Sequence, residues 1–246
     1  MSHRVVTQPA FILHRRPYGN TSWVLELLCR DFGRVGALAK GVRGARSRTQ
    51  SILQPLRPLL VSWVGKGDLK TLTGVEEWGS PLQPASPTVY ASAFYLNELT
   101  LRLLPREDPL PELFDAYQGA LGTLGQSAAV AAVAAALRRY EKRLLAATGY
   151  GLSLVATATG SPIDPGASYG YRLNHGPVPW NEAEPTDIAI SGKSLLALDG
   201  DHLDDPGVAR EARRLLRAAI AVQLEGRPLV SQRLVRRPAV AIDSSP

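Results

Sequence analysis

Trp23-Val-Leu-Glu-Leu-Leu-Cys29, then Asp31-Phe-Gly-Arg34, then Val35-Gly-Ala-Leu-Ala39, is the stretch that decides the fold. Two apolar runs flank a short polar turn, and Gly33 is free to take the positive φ that a tight hairpin requires. Working outward, Val5 to His14 reads as a preceding strand, and Leu59 to Val64 and Leu69 to Val75 as two following ones. Gly65-Lys-Gly-Asp68 supplies the turn between the last pair. Five short antiparallel strands within about 80 residues fit a small Greek-key barrel, and the OB-fold is a barrel of this size that binds nucleic acid. Periodicity alone fits an SH3-like barrel equally well.

After the Pro-rich segment Pro81-Leu-Gln-Pro-Ala-Ser-Pro87 the pattern becomes helical. Thr88 to Leu104 is apolar nearly all round, the mark of a buried helix. Leu110 to Leu124 is a second helix, and Ser127 is placed to cap a third that ends at Gly149. Residues 150–187 are rich in Gly, Pro, Ser and Thr, and predict a long excursion with little regular structure. Ser191 then caps a short helix, Lys193 to Leu198. Asp204 and Asp205 precede a longer one from about Gly207 to Glu225, their charge favourable at its positive end, and a last segment spans Pro228 to Arg236. The expected class is α+β multidomain: an N-terminal OB-fold β-barrel over 1–80, then an α-helical bundle domain over 81–246.

With 246 residues and 45% hydrophobic content the chain can bury a real core. One cysteine excludes an internal disulfide framework and a four-cysteine zinc site. No apolar run reaches 18 residues and the N-terminus lacks a signal-peptide stretch, so a cytoplasmic protein is expected. The net charge of +6 is unevenly placed. Residues 1–80 carry twelve Lys or Arg against five acids, and Phe32 to Gly67 holds seven cations and no acid. Such a field attracts a polyanion.

Catalytic motifs are missing. The four histidines, 3, 14, 175 and 202, have no metal-ligand spacing. Gly192-Lys193-Ser194 imitates the end of a P-loop, but Asp187 stands where its first Gly is needed. Glu76 and Glu77 point to opposite faces of a strand. Ala39 to Arg48, by contrast, sets Lys40, Arg43, Arg46 and Arg48 among glycines that let a phosphate backbone come close. Arg34, Lys66 and Lys70 complete the candidate set for DNA binding. Trp23 and Trp63 are either barrel core or platforms on which bases stack. Arg210, Arg214 and Arg217 read as a solvated helix face, or as an extension of the path.

Pro17-Tyr-Gly-Asn-Thr-Ser22, Phe32-Gly-Arg34, Ala39-Lys-Gly-Val-Arg43, Leu53-Gln-Pro55, Tyr95-Leu-Asn-Glu-Leu99, Leu137-Arg-Arg-Tyr-Glu141, Gly149-Tyr-Gly151 and Gly226-Arg-Pro-Leu229 recur in order along nearly the whole chain. Together they resemble the RecO family of bacterial recombination mediators. The resemblance implies an OB-fold followed by a helical domain, with no catalytic site and no cofactor. It also implies binding of single- and double-stranded DNA, annealing of complementary strands, and, with RecR, loading of RecA onto DNA coated by single-strand-binding protein (SSB). RecF is a further functional partner, and a nucleoid-associated location follows. Many members carry a four-cysteine zinc module where this chain has residues 150–187; without cysteines there, this chain resembles the zinc-free branch and no metal is expected.

The family also docks the acidic SSB C-terminal tail on its helical domain. The resemblance places that site at Arg138, Arg139 and Lys142 with Leu113 and Phe114 as walls, Arg138 being the favoured anchor. Such a tail needs an apolar hole rimmed by a cation. Two rival readings stand beside this one: an OB-fold RNA-binding protein, and a metal-dependent nuclease built from carboxylates such as Asp164 and Glu77.

Overall fold

Gly33 takes φ +64 and closes the hairpin between β2 (Ser22–Cys29) and β3 (Gly33–Ala39), whose partners run from Trp23↔Ala39 to Cys29↔Gly33. In this computed structural model, which describes residues 4–44, 49–127 and 129–231, that hairpin is the middle of a closed five-stranded barrel. β1 (Arg4–Tyr18) runs 15 residues, well beyond the expected His14. Its first half pairs with β4 (Pro58–Val64) and its second with β2, and two bulges bend it between them. β5 (Leu69–Glu77) pairs antiparallel with β4 and parallel with β3, giving the OB-like order β1-β2-β3-β5-β4. A single-turn helix, α1 (Thr49–Ile52), lies between β3 and β4.

Alternation sorts the side chains. Trp23, Leu25, Leu27, Cys29, Val35, Ala37, Leu59, Val61 and Trp63 fill the barrel. Phe11, Leu13 and Leu28 point outward and join the core of the helical half.

That half begins with α2 (Pro87–Leu103), whose N-cap Ser86 accepts the Val89 N–H. α3 (Pro111–Gln126) and α4 (Val130–Ala147) pack on it. Ser127 does not cap α4: its hydroxyl accepts the Ala129 N–H at 3.2 Å in a turn before the helix starts. The 150–187 excursion holds more order than composition suggests. β6 (Ser168–Arg172), β7 (Gly176–Pro179) and β8 (Ile188–Ser191) form a three-stranded antiparallel sheet in the order β7-β6-β8. Tyr169 and Tyr171 on β6 accept the backbone N–H groups of Asp164 and Ser153, tying the preceding loops down. Arg172 forms a fork with the Asp187 carboxylate at 3.2 and 3.0 Å. A side chain at Gly170 would collide with Ala183. The Tyr169-Gly-Tyr171-Arg172 motif is thus the staple of this sheet. α5 (Gly192–Asp199) and α6 (Pro206–Gln223) follow, capped by Ser191 and Asp205. Among the described residues no helix is long and apolar enough to cross a membrane.

The two halves meet along β1 and β3. Phe11 packs against Phe114 and Tyr117, with ring centroids 5.4 and 5.1 Å apart. The Asn97 amide, from α2, donates to the Ile12 and Leu13 carbonyls, and the Tyr117 hydroxyl donates to Asn97 Oδ1. The connection after α2 bridges to the edge of β3, where the Glu107 N–H donates to the Arg34 carbonyl at 3.0 Å. It comes so close to Gly33 that a Cβ there would sit on the Asp108 carbonyl. Gly33 is therefore needed twice, for its φ and for this approach.

Candidate nucleic-acid interface

The β1–β2 turn stands beside the loop that follows β3. The Arg43 N–H donates to the Thr21 carbonyl at 2.8 Å, and its guanidinium to the Gly19 carbonyl at 3.0 Å. These bonds gather Arg15, Arg16, Tyr18, Lys40 and Arg43 at one end of the barrel. Arg16, Lys40 and Arg43 are exposed, as is Tyr18. Arg16 and Lys40 have no acidic partner among the described residues. Arg15 is half-buried, its guanidinium 4.2 Å above the Trp23 ring and donating to the Leu53 carbonyl. Burial lowers the Arg15 pKa, and the neighbouring Tyr90 raises it. The sequence reading missed Arg15 and Arg16. The available signal was their position directly before the Pro17-Tyr-Gly19 turn; what brings that turn to Arg43 is a long-range contact.

The remaining cations of the set go elsewhere. Arg34 donates to the Leu101 carbonyl at 2.8 Å and lies 3.9 Å from Glu26, and burial is the largest influence on it, lowering its pKa. Lys70 is buried, holding the Gly67 carbonyl at 2.8 Å and the Glu107 carboxylate. Both belong to the seam between the halves, where neutralised charge offers little to a phosphate. Lys66 is exposed on the β4–β5 turn, which closes against the middle of β3. Arg46 and Arg48 lie outside the described residues, as does the end of the Pro228 to Arg236 segment beyond residue 231.

Both tryptophans are core: Trp63 is 1% exposed and Trp23 7%. Phe32 meets Trp63 edge-on at 5.1 Å. Cys29 is fully buried, and burial pushes its thiol pKa up, the opposite of what a reactive thiolate needs.

A second feature lies between α3 and α4, an open groove of about 1130 Å³. Leu113, Ala116, Ala120 and Tyr140 form its floor, with Arg139 and Arg143 on its rim. Of the tail-site candidates, only Leu113 and Arg139 reach it. Phe114 is wholly buried against Phe11. Arg138 turns to the opposite face, where it pairs with the buried Glu141 carboxylate, which also accepts the Tyr95 hydroxyl at 2.6 Å. Burial opposes the Arg138 charge, but Glu141 dominates the balance and raises its pKa. Lys142 is directed to the Leu198 and Asp199 carbonyls at the end of α5 and to Asp201. Glu112 and Asp115 also line the groove, Asp115 being held by Arg30 at 2.9 Å.

Among the described residues no group of three or more His, Cys, Asp or Glu is placed to hold a metal ion. Glu77 pairs with Arg57 on the barrel, and Asp164 accepts the Gly166 N–H beside the small sheet. These two carboxylates belong to different halves of the molecule. On α6, Arg210 and Arg217 are exposed, while Arg214 reaches back to the Ala189 carbonyl.

Comparison with known proteins agrees with this layout. The model of the recombination protein O N-terminal region matches residues 1–80, and that of its C-terminal region residues 85–233. The DNA repair protein RecO of Alkalilimnicola ehrlichii is 44% identical over 99% of this chain and 97% of its own length. Those of Nitrosococcus oceani and Methylococcus capsulatus are each 45% identical, over 94% and 95% of this chain and 93% and 94% of their own lengths. An OB-like barrel joined to a helical half, matched in order along its length, places the chain in the RecO family of DNA repair proteins.

Proposed function

We propose that this protein is a non-enzymatic recombination mediator that binds single- and double-stranded DNA with little sequence preference. It anneals complementary strands and, with RecR, helps load RecA onto SSB-coated DNA, with RecF as a further functional partner. The observation that carries this is the convergence of Arg16, Lys40 and Arg43 beside Arg15 at one end of the barrel, free of acidic partners among the described residues. Phosphate contacts carry no base information, which suits a protein that must act on any sequence. Neutralising phosphate charge also lowers the repulsion between two strands as they pair.

The α3–α4 groove is the docking site for the acidic SSB tail, with Arg139 and Arg143 in the role first given to Arg138. One molecule then holds both the strand and the protein that covers it, raising the effective concentration of each contact for the other. RNA binding is the weaker reading, because the relatives are named for DNA repair. A cytoplasmic, DNA-associated location follows from the activity.

Replacing Arg16, Lys40 and Arg43 together by Ala tests the reading. Each lost phosphate contact removes roughly 0.7 from the slope of log affinity against log salt on single strands, so the triple variant should lose about 2. An unchanged slope removes this end of the barrel from the DNA path.

A further inference from the structure

Tyr90 lies on α2, is 48% exposed, and meets Phe94 edge-on with centroids 4.9 Å apart. Its position follows from the helix. Tyr90, Phe94 and Asn97 are spaced four and three apart and so share one stripe of α2. Asn97 on that stripe donates to the Ile12 and Leu13 carbonyls of β1. Further along α2, the Leu101 carbonyl meets Arg34 on β3, whose pairing partner Leu28 faces Phe11. As the numbering on α2 falls from 101 to 97, the facing position on β1 therefore rises from 11 to 13. Continuing nearly two turns from Asn97 brings Tyr90 alongside Arg15 and Arg16, since seven helical residues and three strand residues each cover about 10 Å. The electrostatic coupling between Tyr90 and Arg15 agrees with that placement.

We infer that Tyr90, backed by Phe94, is a stacking platform for the unpaired bases of single-stranded DNA whose phosphates run over Arg15, Arg16, Lys40 and Arg43. This rests on the DNA-binding reading above and adds to it a means of telling single strands from duplex. Phosphates alone cannot make that distinction, because both forms present them. Base stacking can, because only an unpaired strand offers its ring faces. The barrel's own tryptophans are enclosed, whereas Tyr90 offers an exposed ring from the helical half. Edge-on contact with Phe94 fixes the Tyr90 ring while leaving its outer face open. Beside it, the guanidinium of Arg15 is held in place over Trp23.

The test uses the full chain with three probes of equal phosphate number per strand: an oligo-dT, an abasic oligonucleotide of the same length, and a duplex. Affinity is read by fluorescence anisotropy at several salt concentrations. Tyr90→Ala should weaken oligo-dT binding roughly five- to hundredfold, the range covered by stacking of one base on an aromatic ring. Abasic and duplex affinities should hold, and Tyr90→Phe should keep most of the oligo-dT affinity. Equal weakening of Tyr90→Ala on all three probes, or none on any, overturns the platform. If the parent protein shows no salt-dependent binding to any probe, the DNA-binding reading itself fails, which is a separate result.

Discussion

Asn97 is the one polar side chain on α2 that reaches into β1, and its removal gives a signed prediction. It is 2% exposed; its amide donates to two β1 carbonyls, at 3.3 and 3.1 Å, and its oxygen accepts the hydroxyl of Tyr117, which is fully buried. Burial holds the Tyr117 pKa well above its ordinary value, so the hydroxyl is a permanent donor. Asn97→Leu keeps the branching at Cγ but takes away all three bonds. The two carbonyls lose about 1 kcal/mol each, and the stranded hydroxyl costs about 1–3 kcal/mol more, since a buried donor without a partner loses its hydration outright. A total near 3–5 kcal/mol corresponds to a fall in Tm of roughly 6–20 °C for a chain of this size.

Tyr117→Phe alone strands the Asn97 oxygen and should cost about 1–2 kcal/mol. In the Asn97→Leu background the same change removes the orphaned hydroxyl, so it should stabilise. The double variant is therefore expected to melt above Asn97→Leu alone, an outcome that simple summing of two losses forbids. Thermal unfolding followed by circular dichroism measures all four proteins. If the two changes add, or if the double variant is the least stable, the hydrogen-bonded clamp between helix and barrel is not what holds this seam.

Arg138→Ala and Arg143→Ala should separate structure from recognition. The first leaves the buried Glu141 charge unpaired and should cost about 3–5 kcal/mol of stability; the second should leave Tm within a degree or so, yet weaken an SSB-tail peptide several-fold with naked DNA binding intact. Peptide affinity lost in Arg138→Ala at a temperature where it stays folded, but retained in Arg143→Ala, would return the anchor to Arg138. Asp205 caps α6 and pairs with Lys193, and the Lys193 hydrogen bond, then those from Val208 and Gly207, depress its pKa from 3.8 to about 2. A depressed carboxylate stabilises above its unfolded pKa and loses that contribution as pH falls toward 2. Asp205→Asn should accordingly narrow the gap to the parent in Tm between pH 4 and pH 2, and a gap that does not change with pH in that window counts against the assignment.

The barrel was legible because alternation and one turn glycine are local signals. Trp23 to Ala39 spells out both strands and the positive φ at Gly33, and the parity of Leu25 and Leu27 fixes the inner face. β1 was cut short at His14 because a bulge between Ile12 and His14 breaks the alternation there, though the strand continues to Tyr18. The small sheet was missed for another reason. Gly176-Pro-Val-Pro179 has the composition of a loop, and becomes a strand only through pairing with β6. The cap reading succeeded where side chain and helix start are adjacent, at Ser191, and failed at Ser127, where the helix begins three residues later. Asp205, expected only as a favourable charge before its helix, is the N-cap of α6.

The candidate site was legible in sign but not in membership, and the reason is physical. A count of cations treats every Arg alike, whereas the fold divides them by whether an acid arrives from elsewhere in the chain. Arg30 receives Asp115, and Lys70 receives Glu107, both from the helical half; Arg106 of that half meets Glu26 of the barrel. Those pairs fasten the seam and cancel locally. At the far end of the barrel Arg16 and Lys40 receive no acid among the described residues, and Arg43 donates to the Thr21 and Gly19 carbonyls. The net charge of residues 1–80 therefore overstates the seam and understates that end, where exposed cations stand without acids beside them among the described residues. Seam and binding face also share one strand: β1 is gripped by Asn97 at Ile12 and Leu13 and presents Arg15 and Arg16 a few residues on. Clamping the helical half to β1 thus fixes where the barrel's arginines stand relative to α2 and its exposed Tyr90, so the same contacts that hold the fold together align the proposed strand-binding surface.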